Sequence, residues 1–529
     1  MEINAPRLMI AGTNSSCGKT TLTLALLQAL KNRGADVASF KCGPDYIDPM
    51  FHSRVIGAQS RSIDLFFLTE AQARSSFARH AGALNVIEGV MGLYDGLSMD
   101  SDFASSYHVA RTLSAPIVLV VNARGMALSA AAMARGYSDF RSPSLVRGVI
   151  FNNVSGALYP SLKAAVERET GLKALGYLPP CPECALESRH LGLVTAAEVE
   201  NLRGKLQILA ARAEESLDME GLIALMGEAP PLERPPAPQK REKTVRVAIA
   251  RDRAFCFYYA DNLALLEEMG AELVPFSPLS DAHLPEGVHG LLLGGGYPEL
   301  YAEGLSQNRA LLEELKAAIQ SGLPTIAECG GFMLLTRAID QWPMAGLFPT
   351  QCRDAGKLRR FGYATLSAQE DSLLFEAGDT LPGHEFHRWD ADDPGHGLSA
   401  QKPSGRTWRC AYVSETLYAG YPHLAFMMDT LPQAEMDKLC TLDEYPSDSF
   451  KFSAFGYDLH IRDELVAGAF ASLPEQEQQI LILHCVAAMA DGEIGGLVGM
   501  SRNAVQRHHT KTLNELRQRL ENNGGRNAK

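Results

Sequence analysis

Near the N-terminus, Leu8-Met9-Ile10-Ala11-Gly12 is an apolar run of the right length for one buried strand. Seven residues later Lys19-Thr20-Thr21 opens a segment whose Leu22, Leu24, Leu26, Leu27 and Leu30 suit a packed helix. Thr13-Asn14-Ser15-Ser16-Cys17-Gly18 joins the two as a short polar loop bounded by glycine. A strand, a loop and a helix in that order turn the loop's N–H groups inward, at the positive end of a helix dipole, and make a seat for anions. In such a loop Lys19 reaches the outer phosphates of a nucleoside triphosphate, and the Thr20 hydroxyl sits on Mg²⁺. Gly12 lies one residue earlier than in the commonest pattern of this kind.

Further segments repeat the strand-then-loop theme. Asp36-Val37-Ala38-Ser39-Phe40 reads as a strand ending in Lys41-Cys42-Gly43-Pro44-Asp45-Tyr46-Ile47-Asp48-Pro49. Leu84-Asn85-Val86-Ile87-Glu88 reads as another, running into a glycine-rich loop that ends in Asp95. The runs 115–123 and 145–153 are continuously apolar, as strands buried on both faces are. Alternation with helical segments predicts a doubly wound parallel sheet, which binds ligands at the carboxyl ends of its strands. Taken in isolation, Asp45 and Asp48 read as turn and cap residues. Together with Glu88 and Asp95 they share one sheet edge with the phosphate loop.

From about Gly227 the chain becomes rich in proline and charge, a semi-rigid linker over 228–243. It separates a first domain, 1–227, from a second α/β domain, 244–428. The second domain opens with a strand over 245–250. A helix follows, with Leu263, Leu265, Leu266 and Met269 as its apolar face, and then a strand over 273–276. Gly294-Gly295-Gly296 closes another strand, and bare amides there suit an oxyanion hole. Leu323-Pro324-Thr325-Ile326-Ala327-Glu328-Cys329-Gly330-Gly331 puts a cysteine between a strand and a helix, the place of a nucleophile on a sharp turn. A helix N-terminus there is expected to lower the thiol pKa. His384, His387 and His423 are the candidate partners, and spacing does not choose among them.

At 529 residues several domains are expected, and the net charge of -13 argues against chain-wide affinity for nucleic acid or acidic membranes. No basic-then-apolar leader opens the chain, and no run is long enough to span a bilayer, so the expectation is a cytoplasmic protein without a membrane partner. The ten cysteines are scattered, which fits a reducing compartment. Cys181 and Cys184 form the one close pair, half of a zinc site at most.

Taken together, "GTNSSCGKTT", "KCGPDYIDP", "IEGVMGLYDG", "ARDRAFCFYY", "LLLGGGYPEL", "AECGGFMLL", "RRFGYA", "GHEFHRW" and "GYPHLAF" resemble the glutamine-dependent cobyrinic acid a,c-diamide synthases. The resemblance runs from about Leu8 to Phe426. It implies a dethiobiotin synthetase-like ATP domain of P-loop type and a flavodoxin-like class I glutamine amidotransferase domain. It implies catalysis by Cys329 with His423 as base, and an oxyanion and glutamine seat at Gly295, Gly296 and Gly330. ATP would meet Gly12, Thr13, Ser15, Gly18, Lys19, Thr20, Thr21 and Lys41. Mg²⁺ would meet Thr20, Asp48 and Glu88, and Asp45, Tyr46 and Asp95 would face the substrate carboxylates. The substrates so implied are cobyrinic acid, L-glutamine and ATP, with hydrogenobyrinic acid or nickel-sirohydrochlorin as alternative acceptors and a homodimer left open. Ser16 stands where the family often has glycine, and Asn122 where aspartate is common.

Beyond Phe426 the resemblance stops. Residues 429–529 are expected to form a small all-α helix-turn-helix tail similar to region 4 of sigma factors. A capped helix near 473–483, a turn at Gly499 and a second helix capped by Ser501 would present Arg502, Gln506 and Arg507 to DNA. A nucleotide-dependent DNA-binding regulator is therefore the competing function class.

Overall fold

The computed structural model describes residues 2–184, 188–189, 192–193, 202–235, 242–425, 450–455, 457–461, 470–485, 489, 491–502, 504–508 and 511–512. The chain divides into two compact units, 1–430 and 431–529. The first unit holds both α/β domains.

Its N-terminal sheet is built from β1 (Arg7–Gly12), β2 (Val37–Cys42), β3 (Gln59–Ile63), β4 (Leu84–Glu88), β5 (Ile117–Asn122), β6 (Val146–Asn152) and β7 (Lys173–Leu178). All neighbours are parallel, in the order β3-β2-β4-β1-β5-β6-β7. The central strands read as unbroken apolar runs because helices cover both faces. Helix α1 (Lys19–Asn32) is buried on nearly every side, since α2 (Leu202–Ser216) lays Leu206, Leu209 and Ala213 over its leucines. It stops where Gly34 takes φ 78 and Ala35 N–H returns to Leu30 O at 3.1 Å, a left-handed cap that only glycine adopts cheaply.

The start of the proline-rich stretch is held against the first domain. Leu232–Glu233 pairs antiparallel with Glu2–Ile3, and Leu232 joins the first domain's core. Arg7, fully buried at the head of β1, donates to Leu113 O (2.6 Å), Ala5 O (2.9 Å) and Pro230 O (2.9 Å), and so ties that return to the sheet. Residues 236–241 lie outside the described ones.

The second sheet comprises β8 (Val245–Ala250), β9 (Ala271–Phe276), β10 (Gly290–Leu293), β11 (Thr325–Glu328), β12 (Tyr412–Ser414) and β13 (Leu417–Gly420), in the order β9-β8-β10-β11-β13-β12. Five strands are parallel in the flavodoxin-like order, and β12 alone is antiparallel. Residues 338–424 add a mixed sheet dominated by the long antiparallel pair Gln351–Ala368 and Thr380–Ala391, which the sequence does not announce. Helix α3 (Ala260–Glu268) also differs from expectation, because Met269 beyond it is 53% exposed and its leucines are only half-buried. It faces the first domain through charge: Asp261 meets Arg61 (3.3 Å) and Glu268 meets Arg79 (3.6 Å).

The 431–529 unit is not all-α. Phe450–Ala454 and Tyr457–Ile461 form an antiparallel hairpin, as their period-2 alternation of apolar residues favours. Helices Glu475–Cys485 and Asp491–Val498 follow, then Gly499 at φ 71 and a helical turn in which Ala504 N–H points to Ser501 Oγ at 3.4 Å. Ile480, Leu483, Ile494 and Val505 pack together at the centre. Among the described residues no helix is long and apolar enough to cross a membrane.

Arg7→Met should lower global stability by about 2–4 kcal/mol, because two buried carbonyls and one part-buried carbonyl lose a charged donor. Urea denaturation followed by circular dichroism reads this, with the midpoint falling at unchanged slope.

Candidate active site

The phosphate loop leaves β1 at Gly12 and enters α1 through Gly18, whose backbone (φ 107, ψ 15) is left-handed. A side chain at Gly18 would strike Asn152, whose Nδ2 donates to Cys17 O at 2.9 Å and clamps the loop to β6. Ser16 also takes a positive φ of 62, so glycine is the easier residue there. The first N–H groups of α1 receive no side-chain cap and remain for an anion. Lys19 Nζ lies across the loop, on Asn14 O (3.0 Å) and Met91 O (2.5 Å), and burial lowers its pKa. Ser15 is exposed beside it, Thr13 is held from above by the Tyr137 hydroxyl, and Thr20 and Thr21 stand half-buried in the first turn. The Asp95 loop closes one side, with Asp95 Oδ2 accepting Gly92 N–H at 2.9 Å.

Beside the loop lies a buried charge cluster. The register of β2 against β4 sets Lys41 opposite Glu88. Lys41 Nζ reaches Glu88 Oε1 (2.8 Å) and Asp48 Oδ2 (2.5 Å), and Thr20 Oγ1 donates to the same Glu88 oxygen at 2.6 Å. Burial pushes the Glu88 carboxyl up to about 7 despite Lys41. Burial would also raise Asp48, but Lys41 and His52 outweigh it and hold Asp48 below its ordinary value. We take the two together: one ammonium shared by two carboxylates ionises Asp48 first. Asp45 Oδ1 accepts the N–H groups of Ile47 (2.8 Å) and Asp48 (3.1 Å), so it caps the short helix α4 (Ile47–Phe51), and burial lifts its carboxyl to about 6. His52, unremarked in the sequence, is buried with Nδ1 on Ser39 Oγ (2.7 Å) and Nε2 3.7 Å from Glu88 Oε2. Desolvation takes it down to about 4, so it is neutral. Glu88 Oε2 is buried without a hydrogen-bond partner. A hydroxyl, two carboxylates and an unsatisfied carboxylate oxygen are hard donors that fit Mg²⁺.

The second cluster is built at the carboxyl edge of the second sheet. Cys329 follows β11 with φ 48 and ψ -99, a strained position for a non-glycine residue. It is fixed there by its own N–H on Gly420 O at 2.7 Å and heads helix α5 (Gly330–Leu335). The turn sets the buried thiol between a strand and a helix, the geometry of a nucleophile elbow. The thiolate expectation fails: burial, with Glu299 and Glu385 nearby, pushes the Cys329 thiol above its ordinary value and outweighs the Gly330 amide. Gly330 packs against Pro298 and the Gly296 amide, so Gly296 and Gly330 converge beside Cys329.

The mixed sheet gives the three candidate histidines different surroundings. His423 pairs with His384 across the sheet, and Glu328, next to Cys329 in sequence, grips this edge with both oxygens. Oε2 lies 3.3 Å from His423 Nδ1, and Oε1 accepts Leu424 N–H at 3.1 Å. The other edge of the imidazole lies over Gly295, where a Cβ would come within 2.6 Å of its Cε1. His387 is committed elsewhere, to Glu385 and Trp389 O (both 2.7 Å) and in a stack on Tyr421. His384 is stacked on His423 at 5.0 Å, and burial, with His423 beside it, holds it well below its ordinary value. The Tyr46 ring packs on Phe257, Tyr259, His384 and His423 of the second domain. Glu328 had no sequence signal beyond its neighbour Cys329, because its contact to His423 spans 95 residues.

Elsewhere, Cys181, Glu183 and Cys184 place their ligand atoms within 4.8 Å of one another. In the 431–529 unit Arg502, Gln506 and Arg507 are exposed.

Residues 8–194 match the CobQ/CobB/MinD/ParA nucleotide binding domain, and 246–430 match the CobB/CobQ-like glutamine amidotransferase domain. The fold and both clusters therefore define a nucleotide-binding domain fused to a glutamine amidotransferase domain. Cobyrinate a,c-diamide synthase of Caldanaerobacter subterraneus subsp. tengcongensis is 40% identical over 79% of this chain and 94% of its own length. Those of Clostridium tetani (37%, covering 79% and 97%) and Methanothermobacter thermautotrophicus (41%, covering 72% and 86%) are similar to it as well. The chain belongs to the cobyrinate a,c-diamide synthase family.

Lys19→Met should weaken binding of a fluorescent ATP analogue roughly 10- to 100-fold, the loss of one charge-assisted phosphate contact. Cys329→Ala should leave that affinity unchanged.

Proposed function

We propose that the chain amidates the a and c carboxylates of cobyrinic acid in cobalamin biosynthesis, using ATP and nitrogen from L-glutamine. The observation that carries this reading is the presence, in one compact unit, of a phosphate loop beside buried carboxylates and of Cys329 on a strained turn directly after Glu328, which pairs with His423. The names of its relatives support the same chemistry.

In the glutaminase half, Cys329 Sγ attacks the carboxamide carbon while its proton passes to His423 Nε2. The thiol starts neutral, since burial disfavours the thiolate, so proton transfer accompanies attack. Glu328 holds the Nδ1 edge and directs Nε2 to the nucleophile. The Gly296 and Gly330 amides take the developing oxyanion. Collapse expels ammonia as His423 returns that proton to the leaving nitrogen, and water, giving its proton to His423, cleaves the thioester to glutamate and the free thiol. In the synthetase half, a substrate carboxylate attacks the γ-phosphorus, ADP departs, and ammonia then displaces phosphate from the acyl carbon. A carboxylate alone is a poor electrophile, and the acyl phosphate supplies the leaving group. Lys19 and the loop amides stabilise the charge on the transferring phosphoryl group. Thr20, Asp48 and Glu88 would hold Mg²⁺, which neutralises phosphate charge when bound. Lys41, freed from those carboxylates, is available to the nucleotide. Asp45 and Asp95 flank the carboxylate being activated.

Incubation with ATP, glutamine and cobyrinic acid should yield a doubly amidated product, lighter by one oxygen-for-NH exchange at each of two carboxyls, read by high-resolution mass spectrometry. An unchanged corrin mass would reject the reading. Glu328→Gln should cut glutamine-dependent turnover at least about tenfold while leaving ammonium-dependent amidation intact. Because Glu88 takes up a proton as pH falls through about 7, and a protonated carboxyl ligates poorly, Mn²⁺ affinity measured by calorimetry should weaken about tenfold per pH unit below that point.

A second reading concerns the 431–529 unit, where Arg502, Gln506 and Arg507 are exposed on the turn of helix that follows Gly499. Sequence-selective DNA binding through these residues predicts a salt-dependent mobility shift that Arg502→Ala with Arg507→Ala removes. No shift of any duplex at low salt would dismiss it.

A further inference from the structure

We propose that Tyr46 is the positioning residue that makes glutamine hydrolysis answer to the state of the carboxylate-activating site. The inference rests on the functional reading above and assigns Tyr46 a role beyond it. The segment 45–48 has two ends in different chemistry. Asp48 grips Lys41, and Asp45 caps the short helix that follows. Tyr46 lies between them in sequence, yet its ring belongs to the other domain's site. It stacks on Phe257 (5.3 Å, 7°) and packs on Tyr259 (4.5 Å), His384 (5.8 Å) and His423 (5.2 Å). Ile47 continues the contact, buried with Phe257 and Tyr297.

His423 is thereby confined on four sides. Glu328 fixes Nδ1, Gly295 lies under the Cε1 edge, His384 stacks on the ring, and Tyr46 packs against it from the first domain at 5.2 Å. Three of these walls belong to the second domain, and the fourth is carried by the loop that holds the synthetase carboxylates. One helical turn separates Asp45 from Asp48, so whatever engages these carboxylates shifts Tyr46 with them as a unit. A ligand acts at a distance only through an element whose position both sites bias, and this segment touches both. Packed rings transmit such a shift because close-packed contacts do not deform gradually.

The proposal predicts that ATP with cobyrinic acid stimulates glutamate release by the full-length enzyme roughly fivefold or more, the lower end of ordinary coupling. Tyr46→Ala should reduce that stimulation to less than about twofold and raise the ratio of glutamate released to amide formed. Tyr46→Phe, which keeps the ring, should preserve it. Phe257→Leu removes the stacking partner from the opposite domain and should repeat the uncoupling. Amidation from ammonium chloride is measured in parallel, and it should persist in Tyr46→Ala. Stimulation at the wild-type level in both Tyr46→Ala and Phe257→Leu would overturn the proposal, as would a wild-type enzyme that shows none. A Tyr46→Ala enzyme with raised KM for cobyrinic acid but an unchanged ratio would return Tyr46 to substrate binding and also overturn it. Absence of ammonium-dependent amidation in the wild type would instead reject the functional reading itself.

Discussion

The buried ammonium of Lys41 fixes the geometry on which the rest of this enzyme depends. It sits where adjacent parallel strands end, with Glu88 in register across the ladder and Asp48 reaching back from the following helix. An unpaired carboxylate in such a place is costly, so the pairs hold the acidic loop down against the phosphate loop. The arrangement is poised for exchange. A cation and a nucleotide entering here meet two carboxylates already gathered and a lysine already aimed, and Glu88 retains one buried oxygen without a hydrogen bond. Such a cluster contributes little net stability and much organisation.

The glutaminase half follows a different physical logic. Cys329 is held by backbone strain, and His423 by Glu328, the residue that precedes Cys329 in the chain. The left-handed turn at Cys329 costs on the order of 1–3 kcal/mol, offset by the strand hydrogen bonds of β11 and the packing of Phe332, Met333 and Leu334 behind it. Glycine is required in front: any side chain at Gly295 would push the imidazole, and one at Gly331 would strike Leu293. The loop 45–48 reaches from the carboxylate cluster to the His423 ring.

Much of this was legible in the sequence, for identifiable reasons. Strands buried on both faces, such as Ile117–Asn122, announce themselves as apolar runs, and the glycine-lysine loop carries its own chemistry. The edge strands Gln59–Ile63 and Lys173–Leu178 did not stand out, because one side of each is polar or half-exposed. The long hairpin over 351–391 was hidden by the charges it carries, including Arg353, Arg359, Arg360 and Arg388. Glu328 and His52 gain their meaning only from contacts across the fold, and no local spacing encodes them. The lowered thiol pKa failed because a short helix dipole is weaker than full desolvation.

The central claim is that two sites on one chain share a single ammonia. Isotope competition tests it directly: glutamine labelled with ¹⁵N in its amide is supplied with ATP and cobyrinic acid in the presence of excess unlabelled ammonium at neutral pH. The account predicts that both new corrin amides carry ¹⁵N in the wild type, and that Cys329→Ala yields only unlabelled amides. Unlabelled amides from the wild-type enzyme would contradict it.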